Sequence, residues 1–245
     1  MTDKVAIVTG GTGALGRVIV NKLAGTGMKV YVPVFSMKEF NSVFDSSLDS
    51  GYPGEYNFKL RKIYAFDCNA LDENSVTEFV DNVSIQEKGR IDFLINTVGG
   101  IDATKNISEL SSEMLNKMLD LNFKTAFYFT REALKFMEKN NFGRIISIGA
   151  AAALQTTLGR FAYSISKAAV IELMNTASEE MKDKNIRCNT IVPGIIDTPA
   201  NREWGTEDDI KKWIKPEVIA GIIYDLLSSK FDPLRNSVLK VYGNF

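Results

Sequence analysis

The chain has 245 residues, 45% of them apolar, and a formal net charge of -1 with both signs scattered along it. That balance leaves no electrostatic footprint for nucleic acid or an anionic membrane surface, and no run approaches the ~18 apolar residues of a membrane span. Histidine is absent, which excludes Ser-His-Asp and Cys-His catalysis and any His-based metal site, so proton chemistry falls to Tyr, Lys or carboxylates.

Met1-Thr-Asp-Lys4 runs straight into an apolar stretch and does not read as a signal peptide. Val5–Val8 is a short apolar run bounded by turn residues, as expected for a strand buried on both faces. The turn Thr9-Gly-Gly-Thr-Gly-Ala-Leu-Gly16 follows, with a helix over 14–26. Strands are predicted at Val30–Phe35 and Ile63–Phe66, separated by a Ser-, Asp-, Gly- and Tyr-rich stretch, 36–60, that reads as a helix-plus-loop excursion. Then come a helix over 73–88, a strand at Ile91–Ile95, and a long helix over 112–139 with its start at Ser111. A strand at Arg144–Ile148, a helix over 161–184, a strand at Arg187–Val192, a helix over 216–229 and a strand at Val238–Tyr242 complete the series. Residues 195–215 have no clear period and are expected to cover a substrate. Alternating strands and helices predict right-handed βαβ units. The expected fold is therefore a single α/β domain, 1–245, of the Rossmann type, with a doubly wound parallel sheet of about seven strands. Cys68 and Cys188 lack metal-ligand spacing and read as buried, reduced thiols of a cytoplasmic protein.

Gly10, Gly13 and Gly16 follow the first strand directly and open a helix, the context in which a glycine-rich turn holds a dinucleotide pyrophosphate. The second strand ends Val32-Pro-Val-Phe-Ser36, with no carboxylate near Val34 or Phe35. A carboxylate there would hold the ribose hydroxyls of NAD and repel the 2′-phosphate of NADP. Its absence leans toward NADP, with Ser36, Lys38 and Arg17 as the nearby polar candidates, and leaves NAD open. Tyr163 and Lys167 lie one helical turn apart on one face. A lysine ammonium beside a phenol is expected to lower its pKa from near 10, so that the pair can exchange a proton at a carbonyl.

On these residues the chain resembles the short-chain dehydrogenase/reductase family along nearly its whole length. Thr9–Gly16 is similar to the family's Thr-Gly-x-x-x-Gly-x-Gly turn, with Ala14 in place of its middle glycine and Gly13 displaced by one. Asn96-Thr-Val-Gly99 resembles its Asn-Asn-Ala-Gly segment. The resemblance implies Tyr163 as catalytic acid/base, Lys167 as its partner and ribose ligand, and Asn122 as support of a proton relay. It also implies dinucleotide contacts from Thr9, Gly10, Gly13, Leu15, Gly16, Asn96 and Gly99, an adenine contact from Asp67, and nicotinamide packing by Pro193, Gly194 and Thr198. Asp67 could instead cap the following helix, and Asn96 could anchor the central one. The family's two long helices, here 112–139 and 161–184, imply a homodimer or homotetramer. The apolar stripe Phe123, Phe127 and Phe129 could equally be core.

One member of the family's set is replaced. The serine that hydrogen-bonds the substrate carbonyl sits thirteen residues before the tyrosine, and that position is Ala150. Losing an oxyanion donor usually costs about 10²–10³ in rate. Gln155, Thr156 and Thr157 are candidate substitutes, and Ala150, Gln155 and Tyr163 are the expected substrate contacts. One branch lacking this serine, the quinonoid dihydropteridine reductases, has segments similar to Gly149–Leu154, Thr157-Leu-Gly159, Tyr163–Val170, Asp197–Arg202 and Trp213 with Pro216-Glu217. That branch carries an aspartate after the second strand, which is absent here. Expected functions are reduction of a conjugated or carbonyl small molecule, including quinonoid dihydropteridine; general ketone or 3-oxoacyl reduction or alcohol oxidation; and, from another class, non-catalytic dinucleotide sensing. Trp204 and Trp213 read as lid packing or substrate contacts.

Overall fold

The computed structural model describes residues 1–44, 62–102 and 105–243. Seven strands form one all-parallel sheet: β1 (Val5–Thr9), β2 (Lys29–Val34), β3 (Ile63–Asp67), β4 (Phe93–Asn96), β5 (Gly143–Ile148), β6 (Ile186–Pro193) and β7 (Val238–Val241). Their order is β3-β2-β1-β4-β5-β6-β7, so the winding reverses between β1 and β4. Parallel crossovers cover both faces with helices, which is why the inner strands read as nearly continuous apolar runs, while the edge strands β3 and β7 are only partly buried.

Alternate strand residues serve opposite layers. Ala6, Val8, Val30, Val32, Phe93 and Ile95 face one core, closed by α1 (Gly16–Gly25) and α9 (Pro216–Leu226). Val5, Ile7, Tyr31, Leu94, Ile145 and Cys188 face the other, closed by α3 (Glu73–Gln86), α5 (Thr125–Lys139) and α6 (Phe161–Glu180). Each fully buried aliphatic or Phe side chain stabilises the fold by about 1.5–3 kcal/mol. Phe129 is core, while Phe123, just before α5, and Phe127 on it stack on one another half-buried. Both cysteines are free and buried, and burial raises their thiols to about 11 for Cys68 and about 12 for Cys188.

Three expectations are corrected. The helix expected over 112–139 is α4 (Ser112–Leu119) and α5 joined by a π-helical turn, Asp120–Lys124. Its start is as expected, with Ser111 Oγ accepting from Met114 N at 3.1 Å. The irregular segment 195–215 contains two one-turn helices, α7 (Pro199–Arg202) and α8 (Glu207–Ile210), capped by Thr198 and Thr206. The second strand stops at Val34, which leaves Phe35 outside it and 83% exposed. The excursion after β2 opens with α2 (Met37–Phe44), and the rest of its expected span lies outside the described residues. Among the described residues no helix is long and apolar enough to cross a membrane.

Candidate active site

The glycine turn sits at the reversal point between β1 and β4. Gly10 has a φ of +63°, a left-handed conformation that favours glycine. A Cβ at Gly16 would lie 2.0 Å from the Gly10 carbonyl, and one at Gly11 would lie 2.6 Å from Val32 Cγ1. Gly13 is less constrained: its nearest contact would be 3.2 Å, and it is exposed. Gly11 is the glycine that motif reading overlooked, because its need for space comes from the neighbouring strand. Leu15 precedes the first turn of α1 and packs on the α1–α9 core.

The side chains of Thr9 and Asn96 bond within the protein. Thr9 Oγ1 accepts from Thr97 N at 3.1 Å, and Thr97 Oγ1 donates to Thr9 O at 2.6 Å. These bonds join the ends of β1 and β4. Asn96 Nδ2 donates to Thr130 Oγ1 of α5 and to Ser147 Oγ of β5, both at 3.1 Å. Its side chain therefore anchors the helix, as the structural alternative held, through side chains. Ser147 Oγ donates to Met174 Sδ and is fully buried, so it points away from the position of the missing serine.

Asp67 ends β3 beside Val34 of β2 and is exposed. It does not cap α3; that cap is Asp72, whose carboxylate accepts from Asn74 N and Ser75 N. Ser36 Oγ accepts from Glu39 N at 3.4 Å in the first turn of α2.

Asn122 lies in the π-helical turn, 1% exposed. Its Oδ1 accepts from Gly100 N at 2.9 Å and its Nδ2 donates to Gly100 O at 3.0 Å. That two-bond ring pins the helix to the loop leaving β4, and π-bulges are frequent where a side chain must be re-aimed. Lys167 is buried, with Nζ donating to Ile148 O at 3.0 Å. A Cβ at Gly99 would meet Asn122 Oδ1 at 2.7 Å and Lys167 Nζ at 2.9 Å, so the two side chains converge on the space that a side chain at this position would need.

Tyr163 stands one turn before Lys167 on α6. Its acidity departs from expectation. Burial raises the phenol above its usual pKa, and Arg160 is the cation that opposes this. The Lys167 ammonium donates to Ile148 O, and its own burial draws it down to about 8.

Ala150 is buried in extended conformation, followed by a 3-10 turn at Ala151–Ala153. Gln155, Thr156 and Thr157 beyond it are exposed. Pro193 ends β6, and Gly194 N donates to Val241 O at 2.8 Å. The following flap closes at its base through an Ile196–Ile214 bridge. Thr198 Oγ1 caps α7, and Trp213 is buried against Gly205, where any Cβ would collide with the indole. Among the described residues no group of three or more Cys, Asp or Glu side chains is assembled as a metal site.

A doubly wound sheet with a glycine turn at its switch point and a Tyr-x-x-x-Lys pair on the helix after β5 defines a Rossmann-type oxidoreductase. The model of the short chain dehydrogenase family matches residues 4–209, and the chain belongs to this family of NAD(P)-dependent oxidoreductases. It is similar to the 7alpha-hydroxysteroid dehydrogenase of Clostridium sardiniense, with 28% identity, 100% of this chain and 94% of that one covered. The 3-oxoacyl-(acyl-carrier-protein) reductase FabG of Thermotoga maritima is 27% identical, with 99% and 98% covered. Among solved structures, ElxO with NADP bound superposes with a TM-score of 0.86 at 25% identity, covering 99% of this chain and 98% of that one.

Proposed function

We propose that the enzyme is an NAD(P)H-dependent reductase that works without the family's serine and acts on a conjugated or carbonyl substrate. The convergence of Asn122 and Lys167 on Gly99, one helical turn from Tyr163, carries this reading. In the dinucleotide site, Gly10, Gly13, Leu15 and Gly16 present backbone at the N-terminus of α1, in a turn so tight that a side chain at position 16 would strike the Gly10 carbonyl. Ser36 and Asp67 hold the adenosine end; Gly99, Pro193, Gly194 and Thr198 border the nicotinamide. When bound, the dinucleotide supplies the hydride.

Tyr163 delivers the proton through its hydroxyl. Lys167, protonated below about pH 8, orients the ribose with the N–H bonds left beside the one to Ile148 O. Asn122 fixes the loop at Gly100 and so the wall of the site. Ala150 offers no hydrogen bond to a developing oxyanion, which favours a substrate that spreads charge over a conjugated system. Quinonoid dihydropterin is one such acceptor. NADP is the favoured dinucleotide, because Val34 and Phe35 place no carboxylate at the end of β2.

The whole of 1–245 is one domain with a covering flap at 195–215, it works in the cytoplasm, and it assembles as a homodimer or homotetramer through α5 and α6. The deciding assay is NADPH and NADH oxidation with quinonoid dihydropterin beside a panel of ketones. Rapid oxidation with the pterin establishes that substrate. Turnover of ketones alone means that another group replaces the serine. Tight dinucleotide binding without turnover on any substrate rejects the reductase reading in favour of a sensor.

A further inference from the structure

The amino edge of the sheet, opposite the edge that carries the glycine turn, holds an open cleft of about 740 Å³. Its walls come from the chain entering β1, β2 and β4, from the C-terminal end of α3 and from the turn between α5 and β5. Four cations line it: Lys4, Lys29, Lys88 and Arg90. The carboxylates beside them are already engaged. Asp92, 4% exposed, accepts from Lys4 Nζ and from Val5 N, both at 2.8 Å, and pairs with Arg90 Nε at 2.7 Å. Glu87 accepts from Tyr31 Oη at 2.5 Å and from Lys29 Nζ at 2.6 Å. Asp3 is paired by Lys62, which stands outside the cleft. Lys88 pairs with no carboxylate among the described residues. With Asp3 answered from outside, four cations face two carboxylates, a surplus of two positive charges.

The helix ends do not need that surplus. Cations beside a helix C-terminus often answer its last carbonyls. Here backbone donors do so: Ser84 O and Ile85 O of α3 accept from Gly89 N and Lys88 N, and Phe136 O and Met137 O of α5 accept from Asn140 N and Phe142 N. Phe142, the aromatic wall of the cleft, is also engaged, with Lys4 Nζ 3.9 Å and Arg144 Cζ 4.7 Å from its ring centroid. The cleft therefore offers charge rather than a ring face for stacking. Lys88 has a φ of +55°, the left-handed region in which glycine or asparagine usually follows a helix. A lysine there keeps an exposed cation on the cleft wall despite that preference.

We propose that this cleft binds a small oxyanion of two or more negative charges, a phosphate ester or a polycarboxylate, at a site separate from the reaction centre. Lys88 and Arg90 supply N–H donors that no protein acceptor uses up, and Lys4 and Lys29, held by Asp92 and Glu87, complete the set. The protein's own acceptors in the cleft are saturated while its donors are in excess, which is the chemistry that an acceptor-rich anion meets. The five residues of β1 separate the cleft from the glycine turn, about 16 Å of strand.

Calorimetric titration in about 0.15 M KCl, with NADPH in excess so that the glycine turn is filled, tests this. Inorganic pyrophosphate and citrate are the probes, and acetate is the monovalent control. One pyrophosphate or one citrate per chain is expected to bind, at least tenfold tighter than acetate. Which of the two binds tighter separates phosphate from carboxylate chemistry. Lys88→Asn combined with Arg90→Gln is expected to weaken that binding at least tenfold and to leave NADPH binding unchanged. Asparagine suits the left-handed backbone at position 88, so Lys88→Asn alone keeps the fold and is expected to weaken binding at least threefold. Polyvalent binding no tighter than that of acetate overturns the proposal. So does equal binding by the wild type and both variants, because the anion then sits elsewhere.

Discussion

The Lys167 ammonium stands 2.9 Å from the point where a side chain at Gly99 would begin, and Asn122 Oδ1 stands 2.7 Å from the same point. Position 99 is thus the spacer that lets the loop after β4 pass against both groups. Gly99→Ala is expected to push Lys167 or Asn122 aside, lower kcat about 10²-fold and cost about 1–3 kcal/mol of stability. Steady-state kinetics with a thermal melt checks this. A variant that retains full kcat would show that neither group needs its present place.

Burial draws the Lys167 ammonium down to about 8 from 10.5. Between those values the unfolded chain binds the proton and the folded chain does not, so stability rises with pH there; below pH 8 both states are protonated and the gain is absent. The buried thiols act oppositely, but only above their unfolded value of 9.0. Urea unfolding at pH 7, 8 and 9 is therefore expected to show a rise between 8 and 9. Lys167→Met is expected to remove that rise and to be more stable at pH 7, by at most on the order of 3 kcal/mol. An identical pH profile in wild type and variant would contradict the burial of the charge.

Ala150 is extended and buried, a backbone position that serine adopts without strain. Ala150→Ser is expected to raise isolated-ketone reduction by about 10²-fold, the worth of one oxyanion donor. Quinonoid and conjugated acceptors are expected to gain far less. A large gain for ketones, with quinonoid substrate still ignored, would argue against a site specialised for conjugated acceptors.

Phe35 follows β2, exposed, and the proposed NADP preference rests on the absence of a carboxylate there. Phe35→Asp is expected to raise KM for NADPH at least tenfold while that for NADH rises less or falls. Parallel Michaelis curves for the two dinucleotides check the swing, and an unmoved ratio would place adenosine recognition elsewhere.

The inner strands were legible in the sequence because burial on both faces leaves continuous apolar runs with turn residues between them, while the edge strands β3 and β7 are only partly buried. Ser111 was readable for the same local reason, as a cap needs only its next three residues. The break at Asp120–Lys124 was not readable: it is held by Asn122 bonding Gly100, a contact 22 residues away that leaves no periodic trace. The helices in the flap escaped because one turn is too short to show a period. Motif reading put Gly10, Gly13 and Gly16 in the turn, but Gly11 owes its identity to Val32 on the next strand. Spacing shows that Lys167 is near Tyr163, but not that burial raises the phenol or that the ammonium donates to Ile148 O.

The threonine stitch between β1 and β4 joins residues 88 positions apart. The glycine turn closes on itself through Gly13 N donating to Gly10 O, but its attachment to β4 needs Thr97. The acid–base pair comes later still in the chain, on α6. A fragment that ends before α6 lacks both Tyr163 and Lys167, so it is expected to fold the dinucleotide half at most and to carry no acid–base pair.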